Sequence, residues 1–444
     1  MRRAPKRDIL HGNILEQMLL FMYPVFTGYL LQQIYGFVDN IILGRFVGKE
    51  ALAAVGGSAT SIINIILNFI AGITSASMVL LAQAYGRGNM ERVNRLVRNA
   101  MSIAIVIGGV LGVVMALGAG PLLTIMKEPL ENIPLSKTYM YFYAVALIPY
   151  FLYQNGVSIL RALGDSKRPV YFILITAVVK ILFDLLFAGV FKIGVVGTSL
   201  ATLLSYLAVA LLVLLVFDQT VESHHFNLKD FDVDKQETVS MLKIGIPFAI
   251  QNMMYAIPNA LVQAKINQFG TNSIAAYTAY NSVDALFWCF SNSVNTSTIT
   301  LAGQNYGNKN IKRVKKIAYT SVILEAIVAV MFGVAFYFFA ENLLGLFLVD
   351  KEALAISVSM LKMISKYYIT YMIIEPFAAI FKACGMIKIP MYMTILSVCV
   401  SRIVYIYSFP MTDAVKVLFA FPLSWIITAI VYLIYFLGSK KLRQ

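Results

Sequence analysis

Charge is what this sequence has least of. Only 13% of its 444 residues are Asp, Glu, Lys or Arg, where a soluble domain carries about 25%. That scarcity excludes an ordinary soluble enzyme and a disordered chain. Cysteine is also scarce, with three in all. Cys289, Cys384 and Cys399 stand in apolar runs with no CxxC spacing and no companion histidines, which excludes a disulfide scaffold and a metal centre. Histidine numbers three, and His11, His224 and His225 all fall in polar stretches. No GxxxxGK[ST] loop occurs, since GRFVGKE at 44–50 has the wrong spacing, and HExxH is missing. No enzyme chemistry and no bound cofactor is expected.

What fills the chain is apolar: 59% of it is hydrophobic. A membrane helix needs about 20 such residues. Twelve runs qualify between residues 14 and 438, set apart by charged or Pro/Gly-marked breaks. The reading is an all-α integral membrane protein with twelve transmembrane helices. Prolines 24, 149, 247, 258, 376 and 410 lie inside or beside these runs and predict kinks.

The net charge of +14 would suggest nucleic acid on a soluble protein. Here the bases sort by side instead. Arg2, Arg3, Lys6 and Arg7 precede the first run; Arg87 to Arg98, Arg161 to Arg168, Lys309 to Lys316, Lys382, Lys388 and Lys440 to Arg443 follow even-numbered ones. The other loops carry few. With twelve spans, the positive-inside rule places both termini in the cytoplasm of a multi-pass plasma (inner) membrane protein, with no nucleic-acid partner.

The second half echoes the first. ALAAV at 51–55 answers SIAAY at 273–277, AQAYGRGNMERV at 82–93 answers GQNYGNKNIKRV at 303–314, and RALGDSKRP at 161–169 answers KACGMIKIP at 382–390. The spacing between partners is the same each time to within one position, and it is close to half the chain. A six-helix unit is duplicated in parallel, related by an axis along the membrane normal. The N-lobe is 1–217, a polar cytoplasmic connector 218–239, and the C-lobe 240–444. Two such lobes form a transporter plan, with alternating access to a substrate held between them. The chain is read as a monomer.

FVDNIILGRFVGKEALAAVG at 37–56, the AQAYGRGN and GQNYGNKN pair, RALGDSKRP, and IGVVGTSLATLLS at 193–205 resemble the multidrug and toxic compound extrusion (MATE) transporters, in order and over nearly the whole chain. The resemblance implies a secondary antiporter that exports small organic cations, often drugs, in exchange for protons or sodium across the bilayer. A lipid-linked oligosaccharide flippase of related architecture is the alternative, though its cavity would be basic.

Charges within spans are costly and functional by default. Asp39 falls on the first-helix aspartate of the family motif. Asp184 and Lys180 are four residues apart and share a helix face; Asp184 matches the fifth-helix acid. Relatives with a sodium cage combine the two aspartates with an Asn and a sixth-helix Thr. Thr202 matches that Thr, but Lys180 stands at the Asn. An ammonium donates and does not accept, so it takes the place of sodium rather than binding it. The trio sums to −1, which leaves one charge for a proton or a cationic substrate. A sodium site at Asp39, Asp184 and Thr202 is thereby weakened.

In the second half, Glu375 before Pro376 and Asp284 among Tyr277, Tyr280, Phe287 and Trp288 are candidate cation sites. Gln251 stands where some relatives carry a glutamate. Glu325, Lys265 and Arg402 are expected to pair with one another or to be structural. Met and aromatic side chains could line a plastic drug cavity, but more often such residues face lipid or pack the core.

Overall fold

The computed structural model describes residues 9–42, 46–47, 55–126, 128, 130–220 and 234–438. The N-terminal and C-terminal basic clusters, Arg45, Lys49, Lys127 and most of the polar connector with its two histidines lie outside the described residues.

The described chain is helical throughout, in twelve successive passes. In chain order α1 is Ile14–Ile42, α2 Thr60–Gly86, α3 Met90–Ile125, α4 Ile133–Ala162 and α5 Arg168–Asp184, which runs on as a π-turn, Leu185–Val190. Then come α6 Gly194–Thr220, α7 Lys235–Asn267, α8 Thr271–Gly307 and α9 Ile311–Gly345. The last three are broken: α10 is Lys351–Ser365 and Tyr371–Ala383; α11 is Lys388–Thr394 and Ser401–Ser408 around a π-turn, Ile395–Val400; α12 is Ala414–Leu418 and Ala420–Gly438. Eight of the twelve, α1, α2, α3, α5, α6, α9, α11 and α12, are long and apolar enough to cross a membrane on composition alone. Of the other four, α8 buries ten polar side chains, Asp284 among them, more than any other helix among the described residues.

The duplication is visible in backbone detail. Asn89 and Asn310 answer each other in the two copies. They cap α3 and α9 by accepting from the amides of Arg92 (2.9 Å) and Arg313 (3.1 Å). Just before each cap the backbone turns left-handed, at Gly88 (φ 72°) and at Lys309 (φ 60°). Glycine takes that conformation freely and lysine does not. The turns at Gly164 (φ 92°) and Gly385 (φ 77°) repeat at the same spacing.

The described residues divide into two compact units, one within 23–249 and one made of 9–22 with 250–438. In the first unit, α3 holds the opening of α7. Arg92 forms a two-pronged pair with Glu237, Nε to Oε1 at 2.8 Å and Nη2 to Oε2 at 3.1 Å. Thr238 donates to Asn99 Oδ1 at 2.9 Å. Gly72 lets α2 touch this segment: a Cβ there would stand 2.3 Å from the Ala249 nitrogen. In the second unit the image contact recurs. Arg313 donates to the carbonyls of Ile9 (3.2 Å) and Gly12 (2.5 Å) and to Gln17 Oε1 (3.0 Å). Gln17 and Thr238 are again separated by the spacing of the duplication.

The core of the second unit is aromatic, built on Phe287, Tyr368, Tyr371, Phe381, Trp425 and Tyr432. Phe287 stacks on Tyr368 with ring centres 4.0 Å apart. Burying such rings is favourable at about 25 cal/mol per Å² of apolar surface.

Candidate functional site

Along α5 the buried residues are Pro169, Phe172, Ile173, Thr176, Lys180 and Asp184. From Phe172 on they recur at helical spacing, so Lys180 and Asp184 occupy a face that is otherwise apolar. Water cannot reach them: the side chains are 3% and 0% exposed. A charge there must be compensated locally. Lys180 Nζ donates to Asp184 Oδ2 at 2.5 Å and to Asp39 Oδ1, on the last turns of α1, also at 2.5 Å. Asp39 is the open side of the trio, 24% exposed. Asp184 Oδ1 has no donor among the described residues. Tyr35 and Tyr139 lie in the electrostatic field of both carboxylates.

Thr202 does not join this group. It is buried, but its hydroxyl donates to the Thr198 carbonyl at 2.9 Å, one turn back on α6. The position between the carboxylates is filled by an ammonium, and the threonine oxygen is turned to its own helix.

Asp284 is held differently. Trp288 Nε1, one turn along α8, donates to its Oδ2 at 2.6 Å, and the Tyr368 hydroxyl donates to Oδ1. Tyr280 is on the same face one turn back. The carboxylate is thus wrapped by neutral donors rather than by a base. Glu375 accepts from Asn295 Nδ2. No direct bond links Asp284 and Glu375 among the described residues. Gln251 donates to Thr394 Oγ1 at 3.1 Å.

Of the two readings of Glu325, Lys265 and Arg402, pairing with one another is absent among the described residues, which leaves the structural one. Glu325 is fully buried and accepts from Ser291 at 2.5 Å, while its Oε2 has no donor among the described residues. Arg402 donates to Ser424 Oγ at 2.9 Å and to Asn259 Oδ1 at 2.6 Å. Charge alone suggests partners in the sequence, whereas in the fold Glu325 and Arg402 bond neutral neighbours on adjacent helices. Three features had little sequence signal: the Arg92–Glu237 pair, the Tyr368 bond to Asp284 and the Asn259 bond to Arg402. Each joins residues far apart along the chain.

Twelve helical passes in two repeated halves, eight of them long and apolar enough to cross a membrane, with the Asp39–Lys180–Asp184 group buried within the first half, define a multi-pass membrane transporter. Comparison with known proteins names the family. The MatE family model matches residues 24–186 and 247–408, one match in each half, and the chain belongs to that family of multidrug efflux transporters. It is 28% identical to "Probable multidrug resistance protein YoeA" of Bacillus subtilis over 87% of this chain and 85% of that one. It is 28% identical to "Probable multidrug resistance protein YpnP" of the same organism, over 81% and 80%. A solved structure described as the outward-facing conformation of a multidrug resistance MATE family transporter of the MOP superfamily superposes with a TM-score of 0.90 at 18% identity, covering 100% of both chains.

Proposed function

We propose that this protein is a secondary active antiporter that exports small organic cations in exchange for protons, by alternating access of an N-lobe (1–217) and a C-lobe (240–444) joined by a cytoplasmic connector (218–239). It acts as a monomer in the plasma membrane with both termini in the cytoplasm. The observation that carries the reading is the position of Lys180 Nζ, 2.5 Å from an oxygen of each of Asp39 and Asp184.

An ammonium in that place performs the neutralising role a bound sodium ion would have. It is covalently fixed, so it cannot be exchanged. The remaining charge of −1 is mobile. The unbonded Asp184 Oδ1 gives a proton a place to bind, and the partly exposed Asp39 gives it a way in. An apolar surrounding favours the neutral form of a carboxylate in general. When a cationic cargo approaches, the same −1 charge binds it and the proton leaves, so the two compete for one charge. Asp284, bonded by Trp288 and Tyr368, and Glu375 are further acids for attracting cations.

The test is susceptibility to ethidium and to fluoroquinolones in a drug-sensitive host. Expression raises tolerance, and Asp39→Asn abolishes the gain at equal protein level. Unchanged tolerance with a defect in envelope glycan assembly would move the reading to a flippase.

A further inference from the structure

The duplication sets Lys180 opposite Arg402 and Thr202 opposite Ser424, both pairs at one spacing. Each base lies on the fifth helix of its six-helix unit, and each residue is 2% exposed. Their surroundings then diverge. Lys180 is gripped by Asp39 and Asp184. At the positions that answer those two acids, the second copy has Leu261 and Ile406. It has kept the base and lost both acids.

Arg402 consequently has no carboxylate within salt-bridge distance among the described residues. Nε donates to Ser424 Oγ at 2.9 Å, Nη1 donates to Asn259 Oδ1 at 2.6 Å, and the Phe421 ring covers one face at 4.2 Å from Cζ. A guanidinium has five N–H donors in a rigid fork. Two are used here, which leaves the second N–H of Nη1 and both of Nη2. A buried cation without a counter-charge is costly to keep. The outer pair of guanidinium nitrogens is also the edge that binds carboxylates in two-pronged fashion. Tyr255, Tyr277 and Tyr371 lie within its electrostatic reach and add aromatic surface.

We propose that Arg402, positioned by Asn259, Ser424 and Phe421, is a binding site for the carboxylate of an aromatic organic acid or zwitterion, the anion-binding counterpart of the Asp39–Lys180–Asp184 group. The identification of that anion as part of the cargo rests on the export reading; the binding of the anion does not.

The test uses the purified full-length protein in nanodiscs of neutral lipid, with two probes measured by titration calorimetry. One is 2-naphthoate, an aromatic carboxylate, and the other is tetraphenylphosphonium, a cation with no acid. The wild type binds naphthoate; Arg402→Gln weakens it at least tenfold and leaves tetraphenylphosphonium unchanged. Failure of the wild type to bind naphthoate, equal naphthoate binding by Arg402→Gln, or equal loss of both probes overturns the proposal. If Arg402→Gln does not fold, Arg402→Lys decides, since it keeps the charge and loses the fork: a naphthoate loss of threefold or more supports the site, and no loss overturns it. Phosphatidylglycerol that displaces naphthoate in an Arg402-dependent way would give the site to a lipid headgroup and overturn the cargo assignment. Naphthoate binding without any tetraphenylphosphonium binding contradicts the cation-export reading alone.

Discussion

Arg92 and Arg313 occupy equivalent positions in the two copies, and each reaches past its own helix cap to hold the opening segment of a different helix. Arg92 grips α7 through Glu237; Arg313 grips the chain before and along the start of α1 through Ile9, Gly12 and Gln17. The contacts are related by the duplication, yet one is an ion pair and the other a set of carbonyls and an amide.

Arg92→Ala and Arg313→Ala are each expected to lower stability by about 1–2 kcal/mol, the range for charge-assisted hydrogen bonds that are only partly shielded from water. The two sites share no partner, so the double variant loses the sum to within about 0.5 kcal/mol. Thermal unfolding in detergent checks this. High salt weakens the Arg92 contribution more than that of Arg313, because only Arg92 faces a carboxylate.

Removing Lys180 leaves two carboxylates facing one buried position. Lys180→Met is expected to destabilise by about 3–5 kcal/mol, the cost of an uncompensated buried charge. Lys180→Met combined with Asp184→Asn recovers most of that loss, since the charge at the buried end is gone. A double-mutant cycle on unfolding midpoints measures the coupling. Additive losses would mean that Lys180 and Asp184 do not act on each other.

Gly72→Ala is a packing test. The added Cβ would stand 2.3 Å from the nitrogen and 2.4 Å from the Cα of Ala249, both backbone atoms that cannot rotate away. Overpacking typically costs about 1–3 kcal/mol, and rigid backbone puts this change at the upper end. Gly36→Ala, where a Cβ meets nothing within 4 Å, is the control and stays near wild type.

Tyr368→Phe deletes one of the donors that hold Asp284 without altering ring stacking on Phe287. Leaving a buried carboxylate oxygen short of a donor costs about 1–3 kcal/mol. Tyr368→Phe with Asp284→Asn costs less than the two separate losses together. Trp288 fluorescence reports the same change, because its indole nitrogen bonds the other Asp284 oxygen.

Much of this was legible in the sequence, for physical reasons. Apolar length and the echo between the halves require no tertiary contact to be read, so the twelve passes and their two copies follow from them. Lys180 and Asp184 are one helical turn apart, so their contact follows from helix geometry. Asp39 could be added only through resemblance, because it lies far from Lys180 along the chain. The break in α10 at 366–370 and the π-turn in α11 leave no clear mark, since neither segment holds a proline or a glycine. Thr202 and Arg402 show the harder limit. Which way a hydroxyl turns, and whether a buried arginine meets an acid, depends on neighbours that pattern alone does not locate.

The central claim is that Lys180 has replaced sodium and that a proton is exchanged instead. The most direct measurement is export of a fluorescent organic cation by purified protein in sodium-free vesicles under an imposed pH gradient. The account predicts transport driven by the pH gradient alone, indifferent to added sodium and lost in Asp39→Asn. Transport that requires a sodium gradient and ignores the pH gradient would contradict it.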